Sequence, residues 1–150
     1  MRNATRVFSI LSPLLFALTF VNSFAQPSPP YLHALSDLRM ARAHLESRPD
    51  HLPLTADERA AVSEINRALD EVKVAAAADR KDLEARPPVD LPRDWAGRLH
   101  RTLELLNRAY QDVDRVEENP SARGPRSRAL GHISRARSLV HDALEFQSRR

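Results

Sequence analysis

The stretch from Thr55 to Ala78 limits the fold more than any other part of the chain. Val62, Ile65, Leu69, Val72 and Ala76 follow one another at steps of three and four residues, which lines them up along one side of a helix. Ala61, Ala68 and Ala75 run beside that stripe at seven-residue intervals, so a neighbouring helix can approach closely there. Thr55 and Glu58 stand at capping-box spacing: the hydroxyl accepts from the Glu58 amide, and the carboxylate reaches back to the Thr55 amide. Most helical stability in water comes from packing an amphipathic face. The other segments must therefore cover this stripe.

Three further segments carry the pattern to do so, and prolines separate them. The first helix is predicted over about 29–47, with Tyr31, Leu35, Leu38 and Leu45 on its apolar face, flanked by Ala34 and Ala41. His33 and Met40 fall on its outward side. Pro49 disfavours helical geometry at Arg48 and ends it. The second helix is predicted over about 55–85, before Pro87 and Pro88. Residues 86–93 read as a linker. The third helix, about 94–118 with Asp94 as cap, carries Trp95, Leu99, Leu103, Leu106, Tyr110 and Val113, with Thr102 and Ala109 alongside. Residues 119–125, rich in Pro, Ser and Gly, read as a turn. The fourth helix, about 125–147, carries Leu130, Ile133, Val140 and Leu144, flanked by Ala129, Ala136 and Ala143.

An internal repeat runs at an offset of 68 residues. Leu35, Leu38 and Ala41 match Leu103, Leu106 and Ala109. Ala61, Ile65, Arg67, Ala68, Val72 and Ala75 match Ala129, Ile133, Arg135, Ala136, Val140 and Ala143. Core positions of any helical hairpin recur every seven residues, so the apolar matches carry little weight; Arg67 and Arg135 are the one matched pair outside them. The expected fold is an all-α, up-down-up-down four-helix bundle made of two similar hairpins, monomeric or a weak homodimer.

The N-terminus reads as a secretory signal peptide. Arg2 and Arg6 form a positive start, Val7 to Phe20 is an apolar run, and Ser23 and Ala25 supply small residues for cleavage after Ala25. The apolar run is short for a membrane span of ~20 residues, so residues 26–150 are expected as a periplasmic or secreted domain with no membrane span. Removing residues 1–25 takes two arginines and no acids from the 23 basic and 20 acidic residues, leaving a net charge of +1. The signs are interspersed, and a nucleic-acid footprint needs basic charge clustered on one face. With no cysteine in the chain, disulfides, thiolate metal sites and covalent haem attachment are excluded.

Tyr31-Leu32-His33-Ala34-Leu35-Ser36-Asp37-Leu38-Arg39, followed by Ala41-Arg42 and later by Glu64-Ile65-Asn66-Arg67-Ala68, resembles a group of small, secreted bacterial helical proteins. The resemblance implies an all-helical exported domain and points to no particular activity.

Three helices carry a histidine and an acid four residues apart: His33 and Asp37, His100 and Glu104, His141 and Glu145. That spacing shares one helix face, as a metal site requires, and it equally describes a solvated pair. His33 and His100 lie away from the apolar stripes; only His141 is placed to point inward. No Glu-x-x-His of the di-iron bundles occurs. A haem would need inward Met or His ligands on facing helices, and Met40 faces out. No cofactor or metal ligand set is therefore assigned, and a periplasmic metal or haem carrier built on His141 is the runner-up. Leu54-Thr55-x-x-Glu58 is similar to the Leu-Thr-x-x-Gln motif of helical periplasmic stress chaperones; the capping box accounts for the same residues, and a periplasmic stress chaperone-like protein stays as a further alternative. No phosphate loop, nucleophile elbow or dinucleotide fingerprint occurs, so no catalytic residue is assigned. The expectation is an exported, non-enzymatic protein that binds a protein or small-ligand partner or acts structurally.

Two arginines stand where the pattern calls for apolar residues. Arg42 is expected to meet Glu58 near the start of the second helix. Arg137 occupies the repeat position of Leu69. It either lays its stem along the stripe with its head at the surface, or lines a polar, anion-binding pocket between helices.

Overall fold

A computed structural model of the protein describes residues 30–47, 52–78, 95–115 and 119–149. They form four α-helices: α1 (Pro30–Glu46), α2 (Ala56–Ala78), α3 (Trp95–Arg115) and α4 (Pro120–Ser148). There is no strand among the described residues. None of the helices is long and apolar enough to cross a membrane. The expected signal segment 1–25, the expected linker 86–93, and the expected extensions of α2 to Ala85 and of α3 to 118 lie outside the described residues.

The capping box of α2 forms as its spacing dictates. The Glu58 amide donates to Thr55 Oγ1 at 3.2 Å, and the Thr55 amide donates to Glu58 Oε2 at 2.6 Å. Asp57 and Glu58 also place negative charge on the first turn, where the helix dipole favours it.

The start of α4 corrects the sequence reading. The helix begins at Pro120, not near Pro125, and the expected turn at 119–125 is its first turns. Asn119 is the cap: its Oδ1 accepts from the Ser121 amide at 3.0 Å, and Pro120 sits at the first helical position, where a missing N–H costs nothing. Pro125 then lies inside the helix. It forgoes one bond, to the carbonyl four residues back. The adjacent Arg126 binds across to α3, donating to the Val113 carbonyl at 2.8 Å and to the Asp114 carbonyl. Both carbonyls lie at the C-terminal end of the described part of α3.

Side-chain pairs fix the helix directions. His33 lies near Asp112, and Asp37 binds Arg108, so α1 and α3 run antiparallel. Ala78 meets Asn119, Glu71 meets Arg128 and Glu64 meets Arg135, so α2 and α4 do too. Arg126 with Val113, and Leu103 with His141 and Leu144, make α3 and α4 antiparallel. The order is therefore up-down-down-up, not the expected up-down-up-down. The α2–α4 and α1–α3 interfaces are the broadest; α3–α4 and α1–α2 are narrower, and α2 and α3 sit diagonally. Ala78 and Trp95 stand at opposite ends of the bundle. The chain between them, of which 86–93 reads from sequence as a linker, is long enough at ~3.3 Å per residue to span a helix of this length.

The helices matched by the 68-residue offset are thus the ones that pack most broadly on each other, as two hairpins do about a twofold axis across the bundle. Alanine lines both members of the α2–α4 pair: Ala61, Ala68, Ala75, Ala129 and Ala136 are fully buried and Ala143 nearly so. Tyr31, Leu35, Leu38, Ile65, Val72, Leu106, Ile133 and Val140 complete the core as expected. Leu105 is a core residue that the α3 stripe did not include, and Met40, expected outward, is part-buried against the core.

Asn119 joins two elements, since its Nδ2 also donates to the Ala78 carbonyl at the end of α2 at 3.0 Å. Asn119→Ala is expected to cost about 1–2 kcal/mol in urea unfolding. Asn119→Asp keeps the cap but loses the amide donor, and is expected to fall between the two.

Candidate functional site

The core faces of α3 and α4 leave one row of each helix at the edge where they meet. On α3 the buried residues are Leu99, Thr102, Leu105, Leu106, Ala109 and Val113; on α4 they include Ala129, Ile133, Ala136, Val140 and Ala143. Leu103 and Tyr110 on α3, and Leu130, Arg137 and Leu144 on α4, are only part-buried. Their spacing of seven residues keeps each set in one line along its helix. An arginine is tolerated in this row because the row borders the core without entering it.

Arg137 reaches across to α3. Its guanidinium carbon is 5.6 Å from the centre of the Tyr110 ring, a cation–π contact of about 0.5–1 kcal/mol at a partly exposed position. Among the described residues no carboxylate forms an ion pair with it. It borders a cleft of about 520 Å³ with Leu103, Asn107, Ser134, Ser138, His141 and Asp142. A second cleft of about 460 Å³ continues toward the C-terminus of α4, lined by His100, Leu103, His141, Leu144, Glu145, Gln147 and Ser148. The two share Leu103 and His141, and so form one groove along the α3–α4 edge.

His100 and His141, assigned separately from sequence, are brought to this groove together. His141 does not point into the core: its side chain is 60% exposed, and its Nδ1 is 3.5 Å from Glu145 Oε1. Glu104 pairs with Arg101 at 2.7 Å. Among the described residues no group of three or more His, Asp or Glu side chains is placed to hold a metal ion.

The other candidates are fastenings between helices. Asp37, expected on an outer face, is buried against α3 and accepts two bonds from Arg108, at 3.0 and 3.2 Å. Hydrogen bonding to Asp37 raises the Arg108 pKa, outweighing burial. Beside this pair a cleft of about 410 Å³ opens between α1 and α3. There burial raises the Asp112 pKa, with His33 opposing and the like charge of Asp37 adding to the rise. Arg42 reaches Asn66 Oδ1 at 3.0 Å and lies 3.8 Å from Glu46. Its expected partner Glu58 serves the α2 cap.

The strongest polar cluster was not singled out from sequence. Glu64, buried near mid-length of α2, accepts from Arg67 on its own helix at 2.8 Å and from Arg135 on α4 at 2.9 Å. His132 Nδ1 lies 2.7 Å from the same carboxylate. Burial opposes ionisation of Glu64, but the bonds and charges of His132 and Arg135 outweigh it and lower its pKa. His132 Nδ1 also lies 2.6 Å from Arg135 Nη2. That nitrogen cannot donate to Glu64 and accept from Arg135 at once, and an ionised Glu64 requires it to donate. The usable signal was the repeat, in which Arg67 matches Arg135 and Glu64 stands at the position of His132.

Comparison with known proteins returns no matching family model, no matching curated protein and no matching solved structure.

Two outcomes follow from these contacts. A carboxyl whose folded pKa is lowered stabilises the fold above its unfolded value, and that contribution is lost as pH falls through the folded value. Glu64→Gln is expected to cost about 1–3 kcal/mol at pH 7, and to reduce the loss of stability below the ordinary carboxylate range, read as unfolding free energy against pH. Arg137→Leu is expected to leave the melting temperature unchanged or slightly raised, because the repeat already carries Leu69 at this position, nearly buried. A large loss would mean that the guanidinium is a structural partner.

Proposed function

We propose that this protein is an exported, non-enzymatic binding protein of the periplasm or extracellular space, and that the α3–α4 groove is its working surface. The observation that carries the reading is the groove itself. It holds a guanidinium fixed on an aromatic face with no acidic partner among the described residues, beside part-exposed Leu103 and Leu144. Elsewhere the apolar stripes are used up in the core, and the conspicuous charges of the α1–α3 and α2–α4 interfaces bind each other. Pockets that combine apolar walls with a few convergent polar groups are the usual places for small-ligand binding. Export is supported by the arginine-flanked apolar N-terminus and its Ser23–Ala25 cleavage signal, and by the resemblance of the Tyr31–Arg42 stretch to small secreted helical proteins.

Two measurements test this reading. Expressed with its natural N-terminus in a bacterial host, the mature protein is expected to begin at Gln26 by intact mass; retention of residues 1–25 would contradict export by cleavage. In a fragment screen followed by NMR, hits are expected to shift Leu103, Tyr110 and Leu144. Hits confined to the α1–α3 cleft, or none at all, would contradict the groove as the binding surface.

A further inference from the structure

We infer that the α3–α4 groove takes a small monocarboxylate with an apolar tail, its carboxylate on Arg137 and its tail along Leu103 and Leu144; this rests on the reading of the groove as the binding surface. The repeat supplies the main argument. At the equivalent edge between α1 and α2, Arg42 stands at the position of Tyr110, and Asn66 and Asp70 stand at those of Ser134 and Ser138. There the cations have acceptors within the protein: Arg42 donates to Asn66 at 3.0 Å, and Lys73 pairs with Asp70 at 3.1 Å. The second hairpin keeps a cation at its edge but has serines where the first has an amide and a carboxylate. The Ser138 hydroxyl is turned back to the Ser134 carbonyl at 3.3 Å.

The chemistry of the head group follows. The guanidinium carbon stands over the Tyr110 ring and has no carboxylate partner among the described residues; its planar fork of N–H donors matches a carboxylate in bidentate fashion. The groove also carries acid. Asp142 lines the cleft, and Glu145 lines its extension, where Arg149 binds it at 2.8 Å. A ligand with a second negative group would meet these carboxylates, so a single charge is favoured. Leu144 lies two helical turns from Arg137, about 10 Å along α4, and with Leu103 it offers an apolar track to a tail of that length.

Octanoate, octanol and acetate, titrated into the exported protein and followed by NMR, test the inference. Octanoate is expected to shift the groove resonances and to bind at least about tenfold more tightly than either of the others. Arg137→Leu should weaken octanoate by at least about tenfold and leave octanol unchanged. Ser134→Asp, which sets a carboxylate one turn from the retained Arg137, should have the same effect on octanoate. Equal binding of octanoate and octanol, or undiminished octanoate binding by both variants, would overturn the carboxylate assignment while leaving the groove as a binding surface. Absence of binding by all three probes would overturn it too, and the fragment screen then decides separately whether the groove binds anything.

Discussion

The antiparallel contact between α2 and α4 is the constraint on which the rest of the bundle depends. Two rows of buried alanine let these helices approach closely, and theirs is the broadest interface of the bundle. Near mid-length, Glu64 is clamped by Arg67 from its own helix and by Arg135 and His132 from the other. A buried carboxylate is costly unless its charge and hydrogen bonds are met. Sliding one helix past the other would separate Glu64 from both α4 donors. The alanines thus permit close packing at many registers, and the charge cluster selects one. Asn119 makes the same choice at the far end, joining the cap of α4 to the Ala78 carbonyl of α2.

Most of the helical layout was legible because it rests on local chemistry. Of the stripe Val62–Ile65–Leu69–Val72–Ala76, all but the part-buried Val62 are buried, and the Thr55–Glu58 box forms. What misled was the reading of prolines. Pro125 was taken as a boundary, but Asn119 with Pro120 is the stronger start, since it supplies both a cap and a pre-set backbone angle. The helix order was not legible for a different reason. Periodicity says which face of a helix is covered and not by which helix, and a linker of this length reaches either end of the bundle. The repeat held the answer in Arg67 and Arg135. Matched residues meet about a twofold axis only when matched helices pack on each other, and these two arginines converge on one carboxylate.

The same symmetry gives meaning to where the hairpins differ. At the α1–α2 edge Leu35 and Ala76 are fully buried and Leu69 nearly so, while their counterparts Leu103, Leu144 and Arg137 at the α3–α4 edge are part-exposed. One edge is closed by its own side chains, and the other is left as a groove with a cation in it. His141, which suggested a metal ligand by its spacing, and Arg137, which suggested either a snorkelling stem or an anion pocket, both lie along that open edge. Their assignment depends on what α3 places opposite them. Tyr110 on α3 was read from sequence as core, and its part-exposed ring is what holds the guanidinium in place.

Repeat-matched helices pair with each other, and α2 and α3 run parallel on the diagonal. The chain has no cysteine, so pairs of introduced cysteines can carry spin labels without background. Labels at Arg59 and Arg101 lie toward the starts of α2 and α3, and labels at Val74 and Arg101 lie toward opposite ends. The account requires the 59–101 distance to be the shorter of the two, since residues 59 and 74 are separated by about 22 Å along α2. A shorter 74–101 distance would place the end of α2 beside the start of α3, restore a bundle of consecutive antiparallel neighbours, and contradict the pairing.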